Sequence, residues 1–325
     1  MQNFLSRRQL FGAFSGAIVT AFSAVALAET SPFVRYEYTQ LHMGVQVKII
    51  LYAVSEQKAL AAARAAFRRI AELDAMMTDY RLDSELMELC EKAVDRPVEV
   101  SSELFTVLWR AQEVSERSNG AFDVTVGNLV QLWRRARKTK VFPAEAELKA
   151  ALALTGWQKM TLNPTKQTVR LQVAGMRLDL GGIAKGYACD QAIEVLRHHG
   201  IRSALVSAGG DIVVSNAPPK EAGWRIEIEN PEPNTPKYVT VVNKAVSTSG
   251  DKFQYVDFGG KRYSHVIDPR TGLGLTEHWT GTVIANDGLT SDSLSKTVAI
   301  LGAEPAAKLL KRYRGTSMSL RKVLP

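Results

Sequence analysis

Asp179-Leu180-Gly181-Gly182-Ile183-Ala184-Lys185-Gly186 joins a strand-like run, 176–180, to a helical pattern running from about Ala184 to His199 and stopped by Gly200. Glycines crowded into such a junction mark a sharp turn from sheet to helix. They also admit a ligand close to the backbone, where the start of a helix offers amide donors to an anion. A tight turn with no ligand accounts for the same glycines equally well. The segment is not a P-loop, because the GxxxxGK[ST] spacing is absent.

Short elements of both kinds surround this junction. Val34–Gln40 and Val45–Ala53 have strand composition about a Met43-Gly44 turn. A helix from Glu56 to about Met77, capped by Ser55, presents Leu60, Ala63, Phe67, Ile70, Leu73 and Met77 on one face. A second runs from Ser102 to about Ser118, with Leu104, Leu108, Ala111 and Val114 inward, and a third from Pro143 to Leu154. Strand composition recurs at 159–163, 168–173, 203–207, 211–215, 224–229, 238–242 and 281–285, with helices at 290–301 and 303–313. Such irregular interleaving predicts an α+β class with a mixed or antiparallel sheet packed with helices. No linker or repeat divides the chain, so 29–325 reads as one domain.

Residues 1–28 read as an export signal instead of part of that domain. Arg7-Arg8 precede a weakly apolar run, Gly12 to Leu27, that ends in Ala26-Leu27-Ala28, the pattern of a twin-arginine secretory signal. Cleavage after Ala28 and delivery to the periplasm are expected. The whole chain has 41 Lys+Arg against 33 Asp+Glu, a formal +8. Without Arg7 and Arg8 the balance is 39 against 33, or +6. The dense basic run Arg134-Arg135-Ala136-Arg137-Lys138-Thr139-Lys140 has no interleaved aromatics beyond Trp133, so it reads as a solvated loop and not as a nucleic-acid surface. Cys90 and Cys189 read as unpaired, half-buried thiols, and the five histidines have no zinc spacing.

Three further clusters carry chemistry. Ser247-Thr248-Ser249-Gly250-Asp251 is the first, and Tyr263 through His265, Asp268 and Gly272 the second. A His three residues before Asp-Pro presents imidazole and carboxylate to one cavity, although a purely structural turn has the same form. The third, Asn286-Asp287-Gly288 through Ser291-Asp292, opens a helix, where a carboxylate ordinarily serves as a cap.

Taken in order, these segments resemble the FAD:protein FMN transferase (ApbE-like) family across nearly the whole mature chain. The matching pieces begin with Met43-Gly44, Met77 to Arg81 with Ser84-Glu85-Leu86, Gly120 to Asp123, and Leu129 with Leu132-Trp133. Leu180 to Tyr187, Ala208 to Asp211, Ser247 to Asp251, Tyr263 to Gly272, and Ser291 to Leu294 with Leu301-Gly302 complete them. The resemblance implies a T-fold-like architecture and an enzyme that moves the FMN half of FAD to a Thr or Ser of an acceptor flavoprotein, releasing AMP. It implies an FAD site lined by Met43, Tyr80, Ala121, Phe122, Asp123, Asp179, Lys185, Ser249, Asp251 and His265. His265 would assist deprotonation of the acceptor hydroxyl, with Asp268 orienting its turn. Magnesium would be held by the Gly182 carbonyl and Asp292, and the acceptor would be a membrane or periplasmic electron-transfer flavoprotein.

One position departs from the family pattern. The metal-binding helix typically reads Asp-x-x-x-Thr, but Lys296 stands four residues after Asp292 and Thr297 falls one place late. Residues at i and i+4 share a helix face, and an ammonium repels a cation instead of ligating it. Either Lys296 pairs with Asp292 and its charge stands in for the metal, or magnesium binds while Lys296 swings out. An impaired FAD-binding or flavin-carrier protein and an FAD pyrophosphatase are the alternative functions.

Overall fold

The computed structural model describes residues 32–228, 237–250, 255–277 and 279–322. The expected signal, 1–28, and the candidate Asp251 lie outside them. The chain opens with a hairpin, β1 (Val34–His42) and β2 (Val45–Ala53), followed by α1 (Glu56–Met77) and α2 (Glu85–Lys92). A short β3 (Val98–Glu99) leads to α3 (Ser102–Arg117), α4 (Gly127–Thr139) and α5 (Glu145–Ala153). β4 (Met160–Asn163) and β5 (Thr168–Leu171) precede α6 (Ala184–His198). Then come β6 (Ala204–Ala208), β7 (Asp211–Val214), β8 (Trp224–Ile228), β9 (Lys237–Val241) and β10 (Lys244–Ser249). The chain continues through β11 (Tyr255–Phe258), β12 (Lys261–Ser264), β13 (Trp279–Ala285), α7 (Gly288–Leu301), α8 (Ala303–Leu310) and β14 (Ser317–Lys322).

Seven strands form the main sheet in the order β1-β2-β6-β7-β10-β13-β14, and every described pairing in it is antiparallel. Its strands are apolar on both faces because both faces are covered. Val47, Ile49, Leu51, Val206, Ala245 and Val283 point to the side packed with α1, α6 and α7. Their neighbours Ile50, Tyr52, Leu205, Val246 and Ile284 meet Trp224, Ile226, Ile228 and Val241 of the β8–β9 hairpin. The period-two alternation of a strand thus serves two cores in this sheet. A third apolar cluster sits beside them, where Leu129 and Trp133 of α4 pack with Ala151, Val256 and Ile267.

Most expected elements form, and the exceptions have physical causes. Residues 176–180 run extended but pair with no strand. Their backbone bonds go to loops instead, Asp179 N–H to Val124 O (2.8 Å) and Leu178 N–H to Cys90 Sγ (3.3 Å), while Arg177 O accepts from Gly127 (3.1 Å). The basic run 134–140 is not a solvated loop, since most of it belongs to α4, anchored by Leu129, Trp133 and Ala136 on its buried face. In α1 the buried stripe runs through Ala59, Ala62 and Ala66 and leaves Leu60 half-buried, so the small residues take the closest approach to the core. Both cysteines are free and fully buried, not half-buried. α8 ends at Leu310, three residues earlier than the periodicity suggests, and β14 closes the sheet edge.

Candidate active site

α7 enters the core carrying polar side chains as well as the apolar Leu289, Leu294 and Val298. Thr290, Ser291, Asp292, Ser293, Ser295 and Thr297 are all buried. Their hydroxyls are satisfied locally, Ser293 and Thr297 donating to the Leu289 and Ser293 carbonyls (2.9 and 2.7 Å). Ser291 and Ser247 share a hydrogen bond of 2.8 Å that ties α7 to β10. The helix is capped by Asp287, which accepts from Thr290 N–H (2.7 Å), so Asp292 is not the cap that its position suggested. It lies one turn further in, fully buried.

α6 approaches α7 so closely that only glycine fits at the crossing. A side-chain carbon on Gly186 would overlap the Gly288 carbonyl oxygen and lie 2.7 Å from Asp292 Cβ. This contact lets Gly186 N–H donate to Asp292 Oδ2 (2.9 Å). Asp190, one turn along α6, accepts from the N–H groups of Gly288 (2.7 Å) and Leu289 (3.0 Å). Burial raises the Asp190 carboxyl to about 7 against those donors.

Two lysines and two aspartates close the site. Lys185, on the first turn of α6, reaches Asp211 Oδ2 at 3.2 Å, Asp292 Oδ2 at 3.8 Å and the Gly181 carbonyl at 2.9 Å. Lys296 pairs with Asp292 Oδ1 and lies 3.6 Å from Asp211 Oδ1. Burial would lower the Lys185 ammonium, but Asp292 and Asp211 hold it above its ordinary value. Burial would likewise raise Asp211, which Lys296 and Lys185 hold below the usual carboxylate range. Asp211 opens β7 opposite Ser247, after the two-residue Gly209-Gly210 turn. That sheet register, not helix spacing, delivers it to the cluster.

The Asp179–Gly182 segment forms the rim. Asp179 accepts from Gly181 N–H (2.9 Å) and from Arg134 Nη2 (2.9 Å), and burial and the nearby Asp79 raise its carboxyl. Arg134 also pairs with Asp79 and covers the Tyr80 ring at 4.4 Å. Tyr80 remains largely exposed. Phe122 packs against Gly182, its ring 3.2 Å from where a side-chain carbon on that glycine would stand. Ala121 is buried beside it, and Asp123 is committed to a local turn, accepting from Thr125 N–H (2.8 Å) and Oγ1 (2.7 Å).

The structure therefore gathers Tyr80, Phe122, Asp179, Gly182, Lys185, Asp292 and Lys296 into one region, joined by Arg134 and Asp211. Met43 lies in the β1–β2 turn at positive φ, its N–H donating to Asp74 Oδ2 (2.7 Å). Ser249 ends β10 on the same strand face as Ser247. His265 is half-buried in the turn after β12. Asp268 in that turn accepts from Arg270 through its backbone N–H (3.0 Å), Nε (2.8 Å) and Nη2 (2.7 Å). The turn leans on α4, where Trp133 Nε1 donates to the Gly272 carbonyl (2.8 Å) and the Trp133 ring meets Tyr263 at 5.3 Å. Arg134 and Asp211 were visible in the sequence only as part of a basic run and as the end of a glycine turn.

Magnesium does not fit the residues present. Both Asp292 oxygens are taken, by Lys296 and by Gly186 N–H. Among the described residues no group of three His, Cys, Asp or Glu is placed to hold a metal ion.

Residues 43–320 match the ApbE family model. The chain is 32% identical over 281 residues to an FAD:protein FMN transferase of Klebsiella pneumoniae, covering 85% of this chain and 86% of the relative. It is 30% identical over 298 residues to one from Treponema pallidum, covering 86% and 82%. The solved flavin transferase ApbE from Vibrio cholerae superposes with a TM-score of 0.79 at 28% identity over 88% of this chain and 93% of that one. The ApbE protein of Thermotoga maritima gives 0.78 at 27% over 89% and 97%. The antiparallel sheet backed by helices is thus shared with solved flavin transferases. The chain belongs to the ApbE family.

Proposed function

We propose that this chain is an FAD:protein FMN transferase that works in the periplasm after twin-arginine export, on a Thr or Ser of a membrane or periplasmic electron-transfer flavoprotein. The observation that carries the reading is the Lys185–Asp211–Lys296–Asp292 cluster at the start of α6, within a chain of this family. In the reaction the acceptor Oγ attacks the phosphorus on the FMN side of the FAD pyrophosphate. The Oγ–P bond forms, the P–O bond to the AMP side breaks, and AMP leaves with the bridging oxygen and its electron pair.

Charge on the pyrophosphate has to be offset while this happens, and fixed cations in a poorly solvated site do so without reorganising. Lys185 and Lys296 supply that charge here, and Gly181-Gly182 lets the phosphates approach the backbone. His265 accepts the acceptor hydroxyl proton, and Asp268, clamped by Arg270, keeps its turn in shape. Tyr80, stacked on Arg134, offers an exposed ring for the flavin or adenine. The signal 1–28 and the catalytic domain 29–325 belong to this proposal.

One incubation tests it: the purified chain, FAD and a peptide carrying an acceptor Thr, read by in-gel flavin fluorescence. Labelled peptide with stoichiometric AMP is expected. FMN and AMP without labelling would make the protein a pyrophosphatase, and bound FAD without turnover a flavin carrier.

A further inference from the structure

We infer that this chain binds the pyrophosphate of its flavin nucleotide without a divalent metal, the Lys185 and Lys296 ammonium groups providing the positive charge. The inference rests on the flavin-transferase reading above.

Three features carry it. Lys296 Nζ is paired with Asp292 Oδ1, the carboxylate expected to ligate the metal, and lies 3.6 Å from Asp211 Oδ1. The opposite carboxylate oxygen, Asp292 Oδ2, is engaged as well, by Gly186 N–H (2.9 Å). Lastly, two carboxylates and two ammoniums balance in the free protein, so a divalent ion entering it would meet two like charges and no net negative charge.

The depth order of these groups points the same way. The carboxylates of Asp292 and Asp211 are 0% and 2% exposed, whereas the side chains of Lys296 and Lys185 are 17% and 18% exposed. The lysine side chains are therefore the more accessible members of the cluster. An incoming phosphate meets them first, with the aspartates behind holding both lysines charged and in place. α6 begins beside them, and its cap residue Ile183 makes no side-chain hydrogen bond to the first turn. Of its leading amides, Ala184 N–H donates to the Leu180 carbonyl (2.9 Å) and Gly186 N–H to Asp292 Oδ2 (2.9 Å), so the anion site rests on the two ammoniums. Lys296 is a binding group in this scheme, and Asp211 positions both lysines.

The test uses the mature chain and two readouts other than turnover. FAD affinity is measured by quenching of flavin fluorescence in excess EDTA and in millimolar magnesium chloride. Bound Mn²⁺ is measured by electron paramagnetic resonance with and without FAD. Wild type should bind FAD equally in both buffers, within about twofold, and show no protein-bound Mn²⁺. Lys296→Thr should lose about tenfold or more in FAD affinity in EDTA, regain it with magnesium, and acquire a bound Mn²⁺ signal. Lys296→Arg should keep metal-free binding, and thermal melts establish that both variants are folded.

Bound Mn²⁺ in wild type, or wild-type FAD affinity that requires magnesium, would overturn the inference while leaving the flavin reading intact. Absence of FAD binding in either buffer would overturn both. Should Lys296→Thr fail to fold, the wild-type arms decide alone.

Discussion

Replacing Gly186 with Ala tests whether the α6–α7 crossing holds the site together. The added methyl carbon would lie 2.5 Å from the Gly288 carbonyl carbon and 2.7 Å from Asp292 Cβ, and would overlap the Gly288 oxygen. Carbon atoms pack at about 3.5–4.0 Å, so the helices must part by about 1 Å. Overpacking of this kind costs about 1–3 kcal/mol. Separation also strains three bonds to carboxylates, from Gly186 to Asp292 and from Gly288 and Leu289 to Asp190. Losing even one costs about 1.5–3 kcal/mol. Alanine recovers about 1 kcal/mol of helix propensity, which leaves a net loss of about 3 kcal/mol. For a chain of this size that is a fall in Tm of about 5 °C. Far-ultraviolet circular dichroism melts and urea midpoints read it directly. A Tm within about 1 °C of wild type, with an unchanged urea midpoint, would refute the reasoning, because the backbones would then be free to separate at no cost.

Two other perturbations probe charge. Asp190 is raised to about 7 from an ordinary 3.8, mainly by burial and further by Asp287, against the Gly288 and Leu289 amides and Arg197. The folded state therefore holds this proton more tightly than the unfolded chain. Its contribution to stability is complete below about pH 4 and is lost as pH rises through about 7. Urea unfolding at about pH 5 and about pH 8 should differ by about 2–4 kcal/mol from this group, and Asp190→Asn should flatten that slope. An unchanged slope in the variant would rule the assignment out. Arg134→Ala leaves Asp79 and Asp179 facing each other and frees Tyr80, so FAD affinity should fall about tenfold and stability by about 1–3 kcal/mol. Arg134→Lys should not restore binding, since one ammonium cannot fork to both carboxylates. Fluorescence titration of both variants checks this, and wild-type affinity in Arg134→Ala would remove the residue from the site.

Much of the fold was legible because each element carries its own periodicity. The β1–β2 hairpin, α1 and α3 could be read residue by residue, since apolar spacing and Ser caps act over a few positions. α4 was missed for a local reason. Its apolar face, Leu129, Trp133 and Ala136, is overlaid by four basic residues, and charge density masked the helical spacing. The 176–180 run failed in the opposite sense: Met176, Leu178 and Leu180 alternate as buried apolar residues, but no described strand lies alongside to complete a ladder.

For the site, the sequence by itself determined that Lys296 would share a face with Asp292, because four residues of helix separate them and backbone geometry does the rest. It also placed glycines where α6 begins and where the chain must approach itself. Only the tertiary structure decided what that pair would meet. Asp211 arrives through the antiparallel register of β7 against β10, Lys185 through the crossing of α6 over α7, and Arg134 through docking of α4 on the third core. Each of these partners lies tens of residues away along the chain, at distances fixed by packing alone. Pattern along one element cannot specify which charges of another will face it.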